Sequence, residues 1–114
     1  MPLPIHAPLA NRVLYRVCRN HPPMDADFWS HAARGVVIRR SSARAIDLSR
    51  GVSLWETERL ARDLALRFPD VGAYIAELEV PDDVRQEASG TGHWTVWAPP
   101  SRLRRWIVRV VPVR

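Results

Sequence analysis

The order of strand-like and helix-like segments limits what this chain can fold into more than any other feature of its sequence. Alternating or β-branched segments at 12–18, 73–80, 93–97 and 106–113 predict strands, whereas only residues 56–68 keep the helical apolar period over several turns. The last quarter is mostly strand, which does not suit the regular strand–helix alternation of a doubly wound parallel sheet. We therefore predict an α+β fold with about five short strands, in a mostly antiparallel or split sheet, and two to three helices.

Length and cysteine content limit the class of protein further. The 114 residues predict one domain over 1–114, with 1–11 as a flexible N-terminal arm. No apolar run reaches the roughly 18 residues that cross a bilayer, and the N-terminus lacks the features of a signal peptide, so we expect a cytoplasmic protein without a membrane partner. The single cysteine, Cys18, excludes an internal disulfide, and the four histidines lack metal-ligand spacing, so no metal site is predicted.

Arginine supplies all of the positive side-chain charge at neutral pH. The chain has 17 arginines and no lysine, and its net charge is +5. Residues 1–50 carry eight arginines against three acids, 51–90 carry four against nine, and 91–114 carry five and no acid. Adjacent basic ends would form a surface for nucleic acid or an acidic protein partner, whereas interleaved segments would neutralise one another. Candidate phosphate contacts are Arg39, Arg40, Arg44, Arg102, Arg104 and Arg105. No nucleic-acid-binding motif accompanies them, and the lack of lysine excludes lysine catalysis.

Three segments have weaker patterns. Residues 25–35 predict a short helix that ends at Gly35 and buries Phe28, Trp29 and Ala32. Residues 36–50 predict a short strand followed by a loop. The glycine-containing stretch 81–92 predicts a polar, mobile connector.

Ser53 and Glu56 have the S-x-x-E spacing of a capping box. In that motif the serine hydroxyl accepts from the backbone N–H of the glutamate, whose carboxylate reaches back to the N–H of the serine. The spacing predicts that Ser53 caps the amphipathic helix that follows and ends near Phe68.

Polar residues in apolar surroundings are the candidates for function. Arg16 lies within the first predicted strand, where it would anchor a phosphate or carboxylate, or form an internal ion pair with Glu77 or Glu79. His93 begins a predicted strand after a glycine-containing loop. There it would contact a ligand, or it would be an exposed histidine at the end of the strand. The tryptophans at 55, 94 and 97 would line a pocket for a planar ring or belong to the core.

The order of these motifs resembles the ADP-ribosyltransferase-like fold, which includes small bacterial proteins that consume NAD and the RES-type toxins. The early strand with its arginine is matched by Leu14-Tyr15-Arg16, and the strand that leads into a helix is matched by Gly51-Val-Ser-Leu-Trp55. GHWTVW and RWIVRVVPV match the closing strands. The resemblance covers roughly residues 12–113, but a RES-type Gly-Arg-Trp-Asn segment is missing.

This resemblance implies an NAD site. Arg16 would hold an NAD phosphate or ribose, Ser53 would support the nicotinamide ribose, and Trp55 and Trp94 would complete the binding set. Arg16, Ser53 and His93 would be the catalytic residues, although His93, Trp94 and Thr95 stand where this family usually has a catalytic glutamate. The implied function is that of an NAD-binding transferase or NAD-consuming toxin, active or diverged and inactive. The alternative is a non-catalytic basic module for nucleic acid or an acidic protein.

Overall fold

The computed structural model describes residues 11–35 and 42–114. The predicted arm up to residue 10 and the strand predicted at the start of 36–50 lie outside them. The described strands are β1 (Arg12–Cys18), β2 (Val52–Trp55), β3 (Tyr74–Val80), β4 (Gln86–Gly90), β5 (His93–Val96) and β6 (Ile107–Pro112). The described α-helices are α1 (Ala43–Ser49), α2 (Glu58–Arg67) and α3 (Pro100–Arg105), and two 3-10 helices occupy Asp25–Phe28 and Pro69–Val71.

The six described strands form one antiparallel sheet in the order β4-β5-β2-β1-β3-β6. Strand β1 pairs with β3 along its whole length, from Arg12↔Val80 to Cys18↔Tyr74. In contrast, β1 pairs with β2 only at Tyr15↔Trp55, so these two strands diverge beyond that point. The sheet confirms the α+β fold class, and strands β1, β3, β5 and β6 have nearly the predicted bounds.

The prediction of a polar, mobile connector over 81–92 is wrong for the part that forms strand β4. Residues Gln86–Gly90 pair with β5 at the edge of the sheet, and the turn between the two strands contains Gly92 at a φ of 67°. Only glycine adopts this left-handed conformation without steric strain. The strand lacked a recognisable pattern because an edge strand with mostly polar residues shows no apolar alternation.

The two faces of the sheet have separate cores. On the face that we call the α3 face, Leu14, Leu54 and Leu78 are fully buried beneath Phe28 and Leu103. On the opposite face, the α2 face, helix α2 packs against β1 and β3. Its contacts come from Ala61 and Ala65, which cluster with Val17, Ile75 and Val113. The apolar periodicity of the α2 sequence therefore predicted both the helix and the side of it that is buried.

The helix predicted for 25–35 is largely wrong, because only the 3-10 helix Asp25–Phe28 forms there. Phe28 is buried as expected, but Trp29 is 45% exposed and Ala32 is exposed. Asp27 explains the difference, since its carboxylate accepts from the backbone N–H groups of Met24 and Arg19 and so fixes a turn against the end of β1. A side chain that satisfies nearby backbone donors competes with a continuing helix.

Part of the loop predicted within 36–50 is helix α1. Ser42 caps this helix, and its hydroxyl accepts from the backbone N–H of Ala45 at 3.1 Å. No residue of α1 is fully buried, so the apolar stripe that reveals most helices is weak here.

The capping role predicted for Ser53 is also wrong, since Ser53 lies within β2 and pairs with Thr95. Thr57 caps α2 instead, and its hydroxyl accepts from the backbone N–H of Leu60 at 3.1 Å. The backbone N–H of Glu56 donates to the carbonyl of Gly92. Pairing with β5 therefore keeps the chain extended through Trp55, and the N-cap of α2 lies at Thr57, four residues after the predicted cap at Ser53.

Candidate functional site

Arg16 occupies the gap between the diverging strands β1 and β2. Its Nη1 donates to the backbone carbonyl of Ser53 and its Nε to the carbonyl of Asp27, both at 2.8 Å. Its Nη2 makes no hydrogen bond within the part of the chain that the structure describes. Arg16 thus takes the place of missing strand-to-strand hydrogen bonds.

The ion pair considered between Arg16 and Glu77 or Glu79 does not form. Glu77 lies on the α2 face, where it accepts from the Tyr15 hydroxyl and from Arg109, each at 3.1 Å. Glu79 is exposed. Burial, and after it the charge of Arg34, lowers the pKa of Arg16 to about 10, so the guanidinium remains charged at neutral pH.

Ser53 and His93 come together in a cavity of about 260 Å³. The cavity lies between strands β2, β4 and β5 and helix α1, and we call it the histidine cavity. Its lining residues are His31, Ala45, Leu48, Ser49, Ser53, Ser89, His93 and Thr95. Arg16 does not line it but is hydrogen-bonded to the backbone of Ser53, which does.

A chain of hydroxyl groups leads from the protein interior to His93. Thr95, which is 2% exposed, has its Oγ1 at 2.7 Å from the Oγ of Ser89, and this Oγ lies 2.7 Å from His93 Nδ1. A neutral imidazole has one donor and one acceptor nitrogen. The direction of the hydroxyl chain therefore decides whether Nε2, which has no partner among the described residues, donates or accepts.

The surroundings of His93 favour the neutral ring. Burial, followed by the charges of Arg16 and His31, holds the pKa of His93 below its ordinary value of 6.5. At neutral pH the imidazole is thus a hydrogen-bonding group that can accept a proton, without a fixed positive charge.

His93 should make the fold less stable in mild acid. Because its pKa is lower in the folded than in the unfolded chain, its contribution to stability is fully present above about pH 6.5 and is lost as the pH falls through the folded-state pKa. We expect wild-type protein to lose more unfolding free energy than His93→Gln between about pH 7.5 and about pH 5.5, measured by urea denaturation. Equal losses in both proteins would contradict the lowered pKa.

The two tryptophans of the expected NAD site lie on different faces. Trp55 pairs in register with His93, and their rings meet edge to face with centroids 5.0 Å apart. Trp94 packs on the α3 face, where the guanidinium of Arg12 covers its ring at 3.8 Å. The structure therefore brings Trp55 against His93 of the histidine cavity and leaves Trp94 on the other face of the sheet.

Gly51 permits the close packing behind the hydroxyl chain. A Cβ at this position would lie 2.2 Å from the Thr95 methyl group and 3.1 Å from the Trp97 ring. The Trp97 ring is itself held by a hydrogen bond from its Nε1 to the carbonyl of Asp47 in α1. Only glycine thus fits between β2 and these two side chains.

Sequence reasoning missed Ser89, His31 and the α1 residues of the cavity. Ser89 was assigned to a connector, and the available signal was the pair of glycines around Thr91, which is typical of a hairpin turn and requires a strand before it. The contribution of α1 had no such signal, because this helix reaches the cavity only through tertiary packing.

Ion pairs occupy several of the arginines considered as phosphate contacts. Arg44 pairs with Glu87, and Arg104 pairs with Asp25. Arg102 lies over the Trp106 ring at 5.8 Å. Arg39 and Arg40 fall outside the described residues. Where the structure describes them, the basic ends are thus partly neutralised by acids from other segments.

Searches of protein-family models, curated proteins and solved structures find no match to this chain. Within 11–35 and 42–114, no helix combines the length and the hydrophobicity needed to span a bilayer. The same residues contain no group of three or more His, Cys, Asp or Glu side chains arranged to hold a metal ion.

Proposed function

We propose that this chain binds NAD, with the nicotinamide ribose in the histidine cavity, as a protein of the ADP-ribosyltransferase-like type. The observation that carries the proposal is that Ser53 and His93, chosen from distant motifs, line one cavity. Arg16 adjoins it through the Ser53 carbonyl. These residues stand on the neighbouring strands β1, β2 and β5.

The chemistry of the lining suits a ribose. Ribose hydroxyls donate and accept, and the cavity offers the hydroxyls of Ser53 and Ser89 together with a neutral His93. Small-molecule pockets measure about 300–1,000 Å³, so a cavity of about 260 Å³ fits one part of a dinucleotide. The Trp55 ring packs against the imidazole of His93 in a T-shaped arrangement, which is a favourable geometry for two aromatic rings.

The same lining argues for binding in preference to fast turnover. Departure of nicotinamide leaves positive charge on the ribose, and a nearby carboxylate would stabilise that charge. None of the eight residues that line the histidine cavity is acidic. We therefore propose that NAD binds and that nicotinamide is released slowly.

Calorimetric titration with NAD tests the proposal. We expect binding heat with the wild-type protein and an affinity lowered about tenfold or more in His93→Leu, because the variant loses a hydrogen bond inside the cavity. His21→Leu, at an exposed histidine that does not line this cavity, is the matched control and should bind like the wild type. Absence of heat, or equal affinities in the two variants, would refute the NAD site.

A further inference from the structure

We propose that a second cavity, on the far side of Arg16, binds the phosphates and the base of a nucleoside diphosphate. This cavity, which we call the arginine cavity, has a volume of about 400 Å³. Its lining residues are Val17, Arg19, Asn20, Ala26, Asp27, Trp29, Arg34 and Val71. The proposal rests on the proposed NAD site only for its extension to a dinucleotide.

The polar lining leaves positive charge for a ligand. Arg19 and Arg34 are exposed, and neither side chain forms a hydrogen bond or ion pair within the described residues. The carboxylate of Asp27 is 4% exposed, and its oxygens accept from the backbone N–H groups of Arg19 and Met24 and from the side chain of Asn20. Two guanidinium groups are thus available to phosphate oxygens, which they contact in a bidentate geometry.

Arg16 adds a third positive group behind the lining, because it does not line this cavity itself but is hydrogen-bonded to the backbone of Asp27, which does. After burial, the charge of Arg34 is the next cause that lowers the pKa of Arg16, so these two guanidinium groups repel each other. Arg16 Nε already donates to the carbonyl of Asp27, and its Nη2 has no partner in the described part of the chain. An anion held by Arg34 would relieve this repulsion, and phosphate is the anion that several arginines hold best.

Trp29 provides the surface for a base. Its side chain is 45% exposed although it lines the cavity, so a large apolar ring meets solvent beside two guanidinium groups. Nucleobases stack favourably on such aromatic faces. A planar ring next to phosphate-binding arginines points to a nucleotide and away from a simple inorganic anion.

The arginine cavity and the histidine cavity each have a lining residue beside the point where β1 and β2 diverge. Val17 and Ser53 each stand two residues from the Tyr15↔Trp55 pair, on the α2 face, and each lines one of the two cavities. The chain segment 29–34 contributes to both. A dinucleotide would thus place its nicotinamide end at Ser53 and its nucleoside diphosphate end beyond Arg16.

Titration with ADP tests the arginine cavity by itself. We expect Arg34→Ser to weaken ADP binding about tenfold or more through the loss of charged hydrogen bonds, and Trp29→Leu to weaken it about fivefold or more through the loss of stacking. Arg67→Ser, at an exposed arginine on α2 outside this cavity, is the matched control and should bind ADP like the wild type. Circular dichroism checks that each variant is folded.

Nicotinamide mononucleotide separates the two proposals. We expect His93→Leu to weaken the binding of nicotinamide mononucleotide and to leave ADP binding unchanged. Arg34→Ser should weaken ADP binding and leave the binding of nicotinamide mononucleotide unchanged. No ADP binding by the wild type, or equal ADP affinities in the Arg34, Trp29 and Arg67 variants, would overturn the arginine cavity. Tighter binding of a single-stranded oligonucleotide than of ADP at these residues would also overturn it, in favour of nucleic acid. ADP binding without nicotinamide mononucleotide binding would support this cavity and refute the NAD site.

Discussion

Replacing Arg16 with methionine is expected to lower the free energy of unfolding by about 3 kcal/mol, because the carbonyls of Ser53 and Asp27 lose a charged donor together. Methionine fills much of the same volume, so the loss reports the hydrogen bonds more than a cavity. Small domains are stable by only about 5–15 kcal/mol, and the effect should therefore be evident in urea denaturation.

Arg67→Met is the matched control for this change. Arg67 is exposed and makes no side-chain hydrogen bond within the described residues, so its replacement should alter stability by less than about 0.5 kcal/mol. Arg16→Lys should fall between the two, since an ammonium keeps the charge but loses the planar fork. If Arg16→Met unfolds at the same urea concentration as Arg67→Met, the bridging role assigned to this guanidinium is wrong.

Asp27→Ala is expected to produce a loss of similar size, about 2–4 kcal/mol, for a different reason. Its carboxylate is 4% exposed and accepts from Arg19 N at 2.7 Å, Met24 N at 2.8 Å and Asn20 Nδ2 at 3.1 Å. Alanine leaves these donors unpaired close to the protein interior. The turn that presents Trp29 should loosen, so ADP binding should weaken together with stability.

Asp25→Ala provides the comparison from the same 3-10 helix. Asp25 is exposed and forms an ion pair with Arg104, a type of contact that contributes at most about 1 kcal/mol. Urea denaturation of the two variants side by side should show a clearly larger loss of unfolding free energy for Asp27→Ala than for Asp25→Ala. Losses of equal size would mean that the Asp27 carboxylate does not organise this segment.

Local pattern was sufficient for the central strands and for α2. The alternation in 12–18 and 73–80 fixes which side chains face each core, since successive residues of a strand point to opposite faces. The apolar spacing in α2 likewise fixed its buried side. Ser53 shows the limit of such reasoning, because the S-x-x-E spacing is present but pairing with Thr95 outweighs it.

The site was predicted only in part. Ser53 and His93 were selected as polar residues in apolar surroundings, and pairing of β2 with β5 brought them to one cavity. Trp94 was selected as an aromatic residue that would line a pocket, but as the neighbour of His93 in β5 it faces the other core. Ser89 was missed because an edge strand with polar residues looks like a loop in the sequence.

The sequence by itself determined the α+β class, the four strands with alternating or β-branched segments and the amphipathic face of α2, because these depend on the residues within one segment. Only the tertiary structure decided what Arg16 binds. Its partners are two backbone carbonyls, which carry no side-chain signal, and they become available because β1 and β2 separate after a single pair. Contacts to backbone atoms across a gap between strands depend on the path of the whole chain, so no spacing of residue types records them.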